Sequence, residues 1–134
     1  MNTITAKITD IKSVDNLNII KFDFNGETLC MMSLELPYSI KTNSVVKLTC
    51  KATNIGIGKN LSGETSYSNR LTCKVASLNR GELLCSLKLS LSDKSSVESI
   101  ITKESALKMN LKEDDIVTAF IKASDLSIQE VIHD

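Results

Sequence analysis

The sequence contains no tryptophan, only one proline and one histidine, and no excess of charge of either sign. Its 16 Lys and Arg residues balance 16 Asp and Glu residues, and aromatic residues make up 4% of the chain. Unspecific nucleic-acid binding needs clustered positive charge and aromatic stacking surfaces. Nucleic-acid binding is therefore disfavoured, and Phe22, Phe24 and Phe120 are more simply interpreted as core residues.

Long apolar runs and a secretory leader are also missing. No apolar run is long enough to span a membrane, and residues Met1–Thr5 lack the charged-then-apolar pattern of a signal peptide. Hydrophobic residues make up 42% and charged residues 24% of the chain, which is typical of globular proteins. We therefore expect a soluble, cytoplasmic, folded chain with no membrane partner.

Metal-binding and catalytic patterns are scarce as well. The four cysteines form no C-x-x-C pair, so no zinc site is expected, and they are interpreted as small buried thiols in a reducing compartment. They are Cys30, Cys50, Cys73 and Cys85. The one histidine, His133, has no nucleophile and acid that assemble around it. We predict no metal site and no enzymatic activity.

The two halves of the chain show the same order of predicted elements. Apolar residues alternate with polar ones in the manner of half-buried strands. In the second half, strands are predicted at Leu71–Leu78, Leu83–Leu91, Val97–Ile101 and Ile116–Ile128 (broken at Ser124-Asp125), with a helix at Thr102–Met109. In the first half, strands are predicted at Ile4–Ile11, Ile20–Phe24, Leu29–Leu34, Val45–Ala52 and Ile55–Ile57, with Leu36–Ile40 in place of the helix. Superposing the halves places Lys7 on Lys74 and Lys51-Ala52 on Lys122-Ala123.

A polar stretch near the midpoint, Gly58–Thr65, is the best linker candidate. We predict a first unit at residues 1–60 and a second unit at residues 67–134. The repeated strand–strand–strand–helix–strand order indicates an all-β fold with one short helix per unit, built as tandem OB-fold-like five-stranded Greek-key barrels. A small β-sandwich also fits the alternation. Each unit is small for a core of its own, so tandem packing and oligomerisation are expected.

Polar residues stand where strands end and where the helix begins. Ser68-Asn69-Arg70 precedes the first strand of the second unit, Thr102–Ser105 opens the helix, and Lys122–Ser124 lies at the break in the last strand. Hydroxyl groups, a guanidinium, an ammonium and free N–H groups are the donors that a tetrahedral oxyanion needs. Each residue taken singly has a simpler role as a turn residue, a surface charge or a helix cap.

Taken together, these segments resemble the Mop domain, also called the TOBE domain. The motifs that carry the resemblance are Ser68-Asn69-Arg70, Ile101–Ser105, Leu111–Val117 and Ile121–Ser124. The resemblance covers Ser68–Gln129, and the first half is more weakly similar through its strand order and Lys51-Ala52. Two such units in one chain resemble the di-Mop proteins, the molbindins, which bind molybdate in the cytoplasm.

The resemblance implies a cytoplasmic protein that binds molybdate or tungstate for storage, buffering or homeostasis, with the oxyanion as its bound ligand and no organic cofactor. The oxyanion-binding residues that it implies are Ser68, Arg70, Thr102, Ser105, Lys122 and Ala123. In this family Thr102 and Ser105 would commonly act from a neighbouring chain, and homotrimers are typical. The alternative function is a molybdate-sensing regulatory module that acts on a protein partner in transport or transcription regulation, without binding DNA itself.

The sequence departs from the family pattern in two places. Leu71 follows Arg70 where the family usually has asparagine, and the first unit opens with Asn2-Thr3-Ile4 instead of Ser-x-Arg. The first unit is therefore interpreted as degenerate. Lys51 and Ala52 form a second candidate site within it.

Overall fold

Ten β-strands form two five-stranded antiparallel sheets in the computed structural model, which describes residues 1–36 and 40–134. The strands are β1 (Asn2–Val14), β2 (Leu17–Phe24), β3 (Glu27–Ser33), β4 (Val45–Cys50), β5 (Gly56–Gly58), β6 (Asn69–Arg80), β7 (Leu84–Ser90), β8 (Ser96–Thr102), β9 (Ile116–Ile121) and β10 (Ser127–His133). One α-helix, α1 (Lys103–Lys108), follows β8, and single 3-10 turns follow β4 and β9. The predicted all-β class with tandem OB-like units is confirmed.

The two sheets exchange strands between the halves of the chain. The strand order is β10-β4-β1-β2-β3 in the first sheet and β5-β9-β6-β7-β8 in the second. Each sheet therefore contains four strands of its own half and one edge strand of the other half. Alternation in the sequence predicted the strands but not this exchange, because a period-2 pattern does not specify a partner strand. The division into units 1–60 and 67–134 stays a prediction.

The strands bury their apolar residues in one continuous core. In β1 the residues Ile4, Ala6 and Ile8 face inward, and Leu71 and Val75 occupy the matching positions of β6. Successive side chains of a strand point to opposite faces, which explains why every second residue is buried. Because the core spans both halves, it overcomes the small size of each unit.

A bulge in the first strand repeats between the halves, and the first half contains the predicted hairpin turn. The β1–β2 register shifts between Ile8 and Asp10, and the β6–β7 register shifts between Val75 and Ser77, which the superposition places at the same point. The predicted Asn25-Gly26 turn joins β2 to β3, and both residues have positive φ, 49° and 89°. Asn-Gly favours this hairpin geometry because both residues tolerate positive φ.

The predicted helices have different outcomes in the two halves. The helix predicted at Thr102–Met109 is present as α1, with Thr102 as its N-cap. The segment Leu36–Ile40, predicted to take its place in the first half, includes residues 37–39, which lie outside the described residues. No helix in the described part of the chain is long and apolar enough to cross a membrane.

The cysteines are structural. Cys50, Cys73 and Cys85 are buried, Cys30 is half-buried, and all four are free thiols. Burial raises the pKa of the Cys50 and Cys73 thiols to about 11, so both remain protonated and unreactive at neutral pH. Within residues 1–36 and 40–134, no group of three or more His, Cys, Asp or Glu side chains is arranged to hold a metal ion.

Candidate oxyanion site

Four of the predicted site residues lie together where β6 begins and β9 ends. Asn69 pairs in register with Ile121, and its side-chain Nδ2 donates to the Ile121 carbonyl oxygen at 3.0 Å. Ser68 directly precedes β6 and Lys122 directly follows β9, and both are exposed. We call Ser68, Arg70, Lys122 and Ala123 the strand-end cluster.

Arg70 is the second residue of β6 and lies on its exposed face. Its register partner on β9 is Phe120, and the guanidinium carbon lies 5.5 Å from the centroid of the Phe120 ring. This distance is that of a cation–π contact. Among the described residues neither Arg70 nor Lys122 makes an ion pair, so both positive charges are available to an anion.

Thr102 and Ser105, which we call the helix-start pair, are joined by a cap at the beginning of α1. The Ser105 N–H donates to Thr102 Oγ1 at 3.1 Å, and the Thr102 hydroxyl donates to Ser105 Oγ at 2.9 Å. The predicted helix start is therefore correct. Because Ser105 Oγ accepts from Thr102, its own hydroxyl proton is free to donate to a ligand.

A single chain does not bring the helix-start pair to the strand-end cluster. Arg80, at the far end of β6, pairs in register with Cys85 on β7. Cys85 in turn pairs with Ile101 on β8, which directly precedes Thr102. From Arg70 to Arg80 is about 33 Å of strand, at roughly 3.3 Å per residue. The two sets of residues therefore lie at opposite ends of β6.

The second candidate site, Lys51 and Ala52, lies at the equivalent end of the first sheet. It lines a cavity of about 360 Å³. The cavity is also lined by Met1, Asn2, Thr53, Glu98 and Ile100. Lys51 is exposed and makes no ion pair with any described residue. This site contains one charge of the expected kind, but Thr3 stands where the second half has Arg70.

Two asparagines that the sequence analysis did not single out connect the halves. Asn69 Oδ1 accepts the Cys30 N–H at 2.7 Å, and Nδ2 donates to the Cys30 carbonyl at 2.9 Å. Asn2 makes the same pair of bonds with Glu98, at 2.8 Å and 2.7 Å. The signal was present in the sequence, because the superposition of the halves places Asn2 on Asn69.

Asn69 also supports the strand-end cluster directly. Its side chain is fully buried and all of its polar atoms are bonded, to Cys30 on β3 and Ile121 on β9. The contact with Ile121 fixes the strand immediately before Lys122. Asn69 therefore couples the geometry of the candidate site to the first half of the chain.

Lys59 anchors the predicted linker to the loop after α1. Its Nζ donates to the carbonyl oxygens of Met109 and Asn110, at 3.1 Å and 3.0 Å, and lies 3.0 Å from Asp115 Oδ2. The hydrogen bond from Lys59 holds the pKa of Asp115 below its usual range. The linker is thus fixed at its start, and α1 is held from its C-terminal side.

Comparison with known protein families identifies the second half. Residues 65–128 match the model of the TOBE domain. This segment is similar to the TOBE domain. It contains the strand-end cluster and the helix-start pair, so the resemblance inferred from the four motifs is confirmed.

The fold of the whole chain is similar to that of a solved molybdate-binding protein. The crystal structure of the cytoplasmic molybdate-binding protein ModG, with molybdate bound, aligns with 95% of this chain and 94% of that chain at a TM-score of 0.89. Sequence identity over this alignment is 23%, so the similarity establishes a common fold. No curated protein matches the sequence. The assignment of individual ligand residues within the TOBE domain stays a prediction.

Proposed function

We propose that this chain is a cytoplasmic protein that binds molybdate or tungstate reversibly, for storage, buffering or homeostasis of the anion. What supports the proposal is the strand-end cluster, in which an arginine, a lysine and a serine stand at two paired strand ends of the TOBE-like segment, and neither cation has an ion pair among the described residues. The similarity to ModG supports molybdate as the ligand, since that protein shares the tandem fold.

The chemistry of the cluster suits a tetrahedral dianion. Arg70 supplies a planar pair of donors that grips two oxygens, and Lys122 supplies a compact positive charge. The Ser68 hydroxyl and the Ala123 backbone N–H add neutral donors. These groups bind an anion but include no nucleophile with an activating base, so we propose that the chain acts by binding and not by catalysis.

The site is completed by a second copy of the chain, which supplies the helix-start pair. Around Thr102, three leucines are unusually exposed: Leu83 at 80%, Leu84 at 54% and Leu107 at 55%. Beside Ala123, a separate groove of about 640 Å³ is lined by Met31, Met32, Leu34, Leu36 and Ile128. Apolar surfaces of this kind mark interaction sites.

The two apolar surfaces support a head-to-tail assembly. They are different parts of one chain, so their contact is head-to-tail, and a head-to-tail contact that closes forms a ring. Such a ring places the helix-start pair of one copy near the strand-end cluster of the next. The family resemblance favours three copies. Anion binding then stabilises the assembly because the ligand contacts two chains at once.

The proposal is tested by calorimetric titration of the purified protein with molybdate, tungstate and sulfate, and by light scattering in the same buffer. We expect saturable binding of molybdate or tungstate to a homo-oligomer. Arg70→Ala should remove binding, whereas Lys88→Ala, which removes an exposed charge from β7, should not. Absence of saturable binding at millimolar molybdate and tungstate would contradict the proposed function.

A further inference from the structure

Phe120 is buried in an unusual place. In β9, Val117, Ala119 and Ile121 face the core, and alternation would expose the residues between them. Phe120 is nevertheless only 6% exposed, although it is not part of the main core. The prediction that Phe120 is buried is confirmed, but its ring lies apart from the main core cluster and is covered on the outer face of the second sheet.

A glycine on the neighbouring strand makes room for this ring. Gly56 on the neighbouring strand β5 is the register partner of Phe120. A Cβ atom on Gly58 would lie 2.6 Å from Phe120 Cε2 and 2.2 Å from Leu61 Cδ1. A side chain at Gly58 would therefore displace the ring, whereas a Cβ atom on Gly56 would lie 4.0 Å from Phe120 Cβ, in ordinary contact. Gly58 is the position that makes room for the ring.

The polar partner of the ring is Arg70. Its guanidinium carbon lies 5.5 Å from the ring centroid, and the Tyr67 ring packs against the same phenyl group with centroids 5.6 Å apart. Arg70 is exposed and makes no ion pair with any of the described residues, so the aromatic contact is what orients it.

We infer that Phe120 is a positioning residue for oxyanion binding: it holds the Arg70 guanidinium in place beside Ser68 and Lys122. The inference rests on the proposed function. A free arginine loses much rotamer freedom when it binds an anion, and an arginine already ordered by a ring loses less. Gly58 leaves room for the ring, the ring orients the guanidinium, and the guanidinium contacts the anion.

The first half supports this assignment by contrast. There the register partners equivalent to Arg70 and Phe120 are Thr3 and Thr49, and the edge strand places Ser127 opposite Thr49. The half that lacks the arginine also lacks the ring and the glycine opposite it. If the ring served only for packing, its presence would not be expected to depend on the presence of the arginine.

The experiment compares Phe120→Leu and Phe120→Trp with the wild-type full-length chain. Leucine retains an apolar side chain but removes the π face, whereas tryptophan restores a face on which a cation packs. We expect molybdate affinity to fall about five- to tenfold in Phe120→Leu and to recover in Phe120→Trp. Equal affinity of Phe120→Leu and wild type, or equal loss in both variants, would overturn the inference.

A measurement without ligand separates this inference from the proposed function. The ring current of Phe120 should shift the NMR signals of the Arg70 side chain, and the shift should disappear in Phe120→Leu. An unshifted Arg70 in the wild-type protein would overturn the inference even if molybdate binds. A shifted Arg70 in a wild-type protein that binds no molybdate or tungstate would overturn the proposed function, and the role of Phe120 in anion binding with it.

Discussion

The two halves of the chain have the same strand order but different outer faces. Both begin with an asparagine that bonds to the opposite half, and both have a bulge at the same point of their first strand. The second half then presents Arg70 on Phe120, where the first half presents Thr3 beside Thr49. The fold therefore depends on the positions that the halves share. The candidate site depends on the positions in which they differ.

The largest expected effect is on the shared core. Leu48 and Leu87 are fully buried, one in each half, and an aspartate at either position places a carboxylate in an apolar environment. Because small domains are stable by only about 5–15 kcal/mol and the core is continuous, either Leu48→Asp or Leu87→Asp should unfold both halves. Circular dichroism checks this, with Val14→Asp, at a 72% exposed position, as the folded control. A protein in which one half stays folded would show that the halves are independent.

The next effect concerns the difference between the halves. Arg70→Ala should weaken molybdate binding by more than about 100-fold, since it removes two charge-assisted hydrogen bonds. Thr3→Ala, at the equivalent position of the first half, should leave affinity unchanged. Titration calorimetry on both variants measures the contrast. If Thr3→Ala weakens binding as much as Arg70→Ala, the first half is not degenerate.

A smaller effect is expected at the asparagines that the halves share. Asn69 is fully buried with three side-chain hydrogen bonds, whereas Asn2 is half-buried with two. Asn69→Ala should lower the free energy of unfolding by about 3 kcal/mol, and Asn2→Ala by about 1 kcal/mol. Urea denaturation measures both values. A larger loss for Asn2→Ala would contradict the assignment of Asn69 as the stronger connection.

The smallest effect is a pH dependence that only the second half should show. Asp115 and Ser44 occupy equivalent positions, and their carbonyls accept from Val75 and Ile8 respectively, but only Asp115 carries a carboxylate. The hydrogen bond from Lys59 lowers the folded-state pKa of Asp115. The stability it contributes is therefore present above the unfolded pKa of about 3.9 and is lost as the pH falls through the lower folded value.

Asp115→Asn tests this dependence. The variant should be less stable than wild type at pH 7, and the difference should shrink as the pH falls below about 4. Denaturant unfolding of wild type and variant, at pH 7 and at a pH below about 4, measures the difference in the free energy of unfolding. A difference that is independent of pH would mean that Asp115 acts through its uncharged hydrogen bonds, such as the one it accepts from the Lys112 N–H at 3.0 Å.

The sequence was sufficient to predict the features that depend on local pattern. Alternation located the strands, Asn25-Gly26 located a hairpin, and Thr102 located the start of α1, because each depends on a few adjacent residues. The pairing of β10 with β4 and of β5 with β9 depends on contacts between distant parts of the chain. No local pattern contains that information.

The same distinction applies to the candidate site. The motifs named Ser68, Arg70 and Lys122 by residue type, but only the register of β6 with β9 brings them together. Thr102 belongs to the same motif set, yet strand register places it at the other end of β6. The role of Phe120 was missed because an aromatic residue in an apolar strand resembles a core residue until its facing direction is known.

The most direct test of the account is a crystal structure of the protein grown with tungstate, in which the anomalous signal of tungsten locates the anion. We expect the peak within hydrogen-bonding distance of Arg70, Lys122 and the Ala123 N–H, with Thr102 or Ser105 of a second copy on its other side. A tungsten peak at Lys51 and Ala52 alone, or one contacted by a single chain far from Arg70, would contradict the central claim.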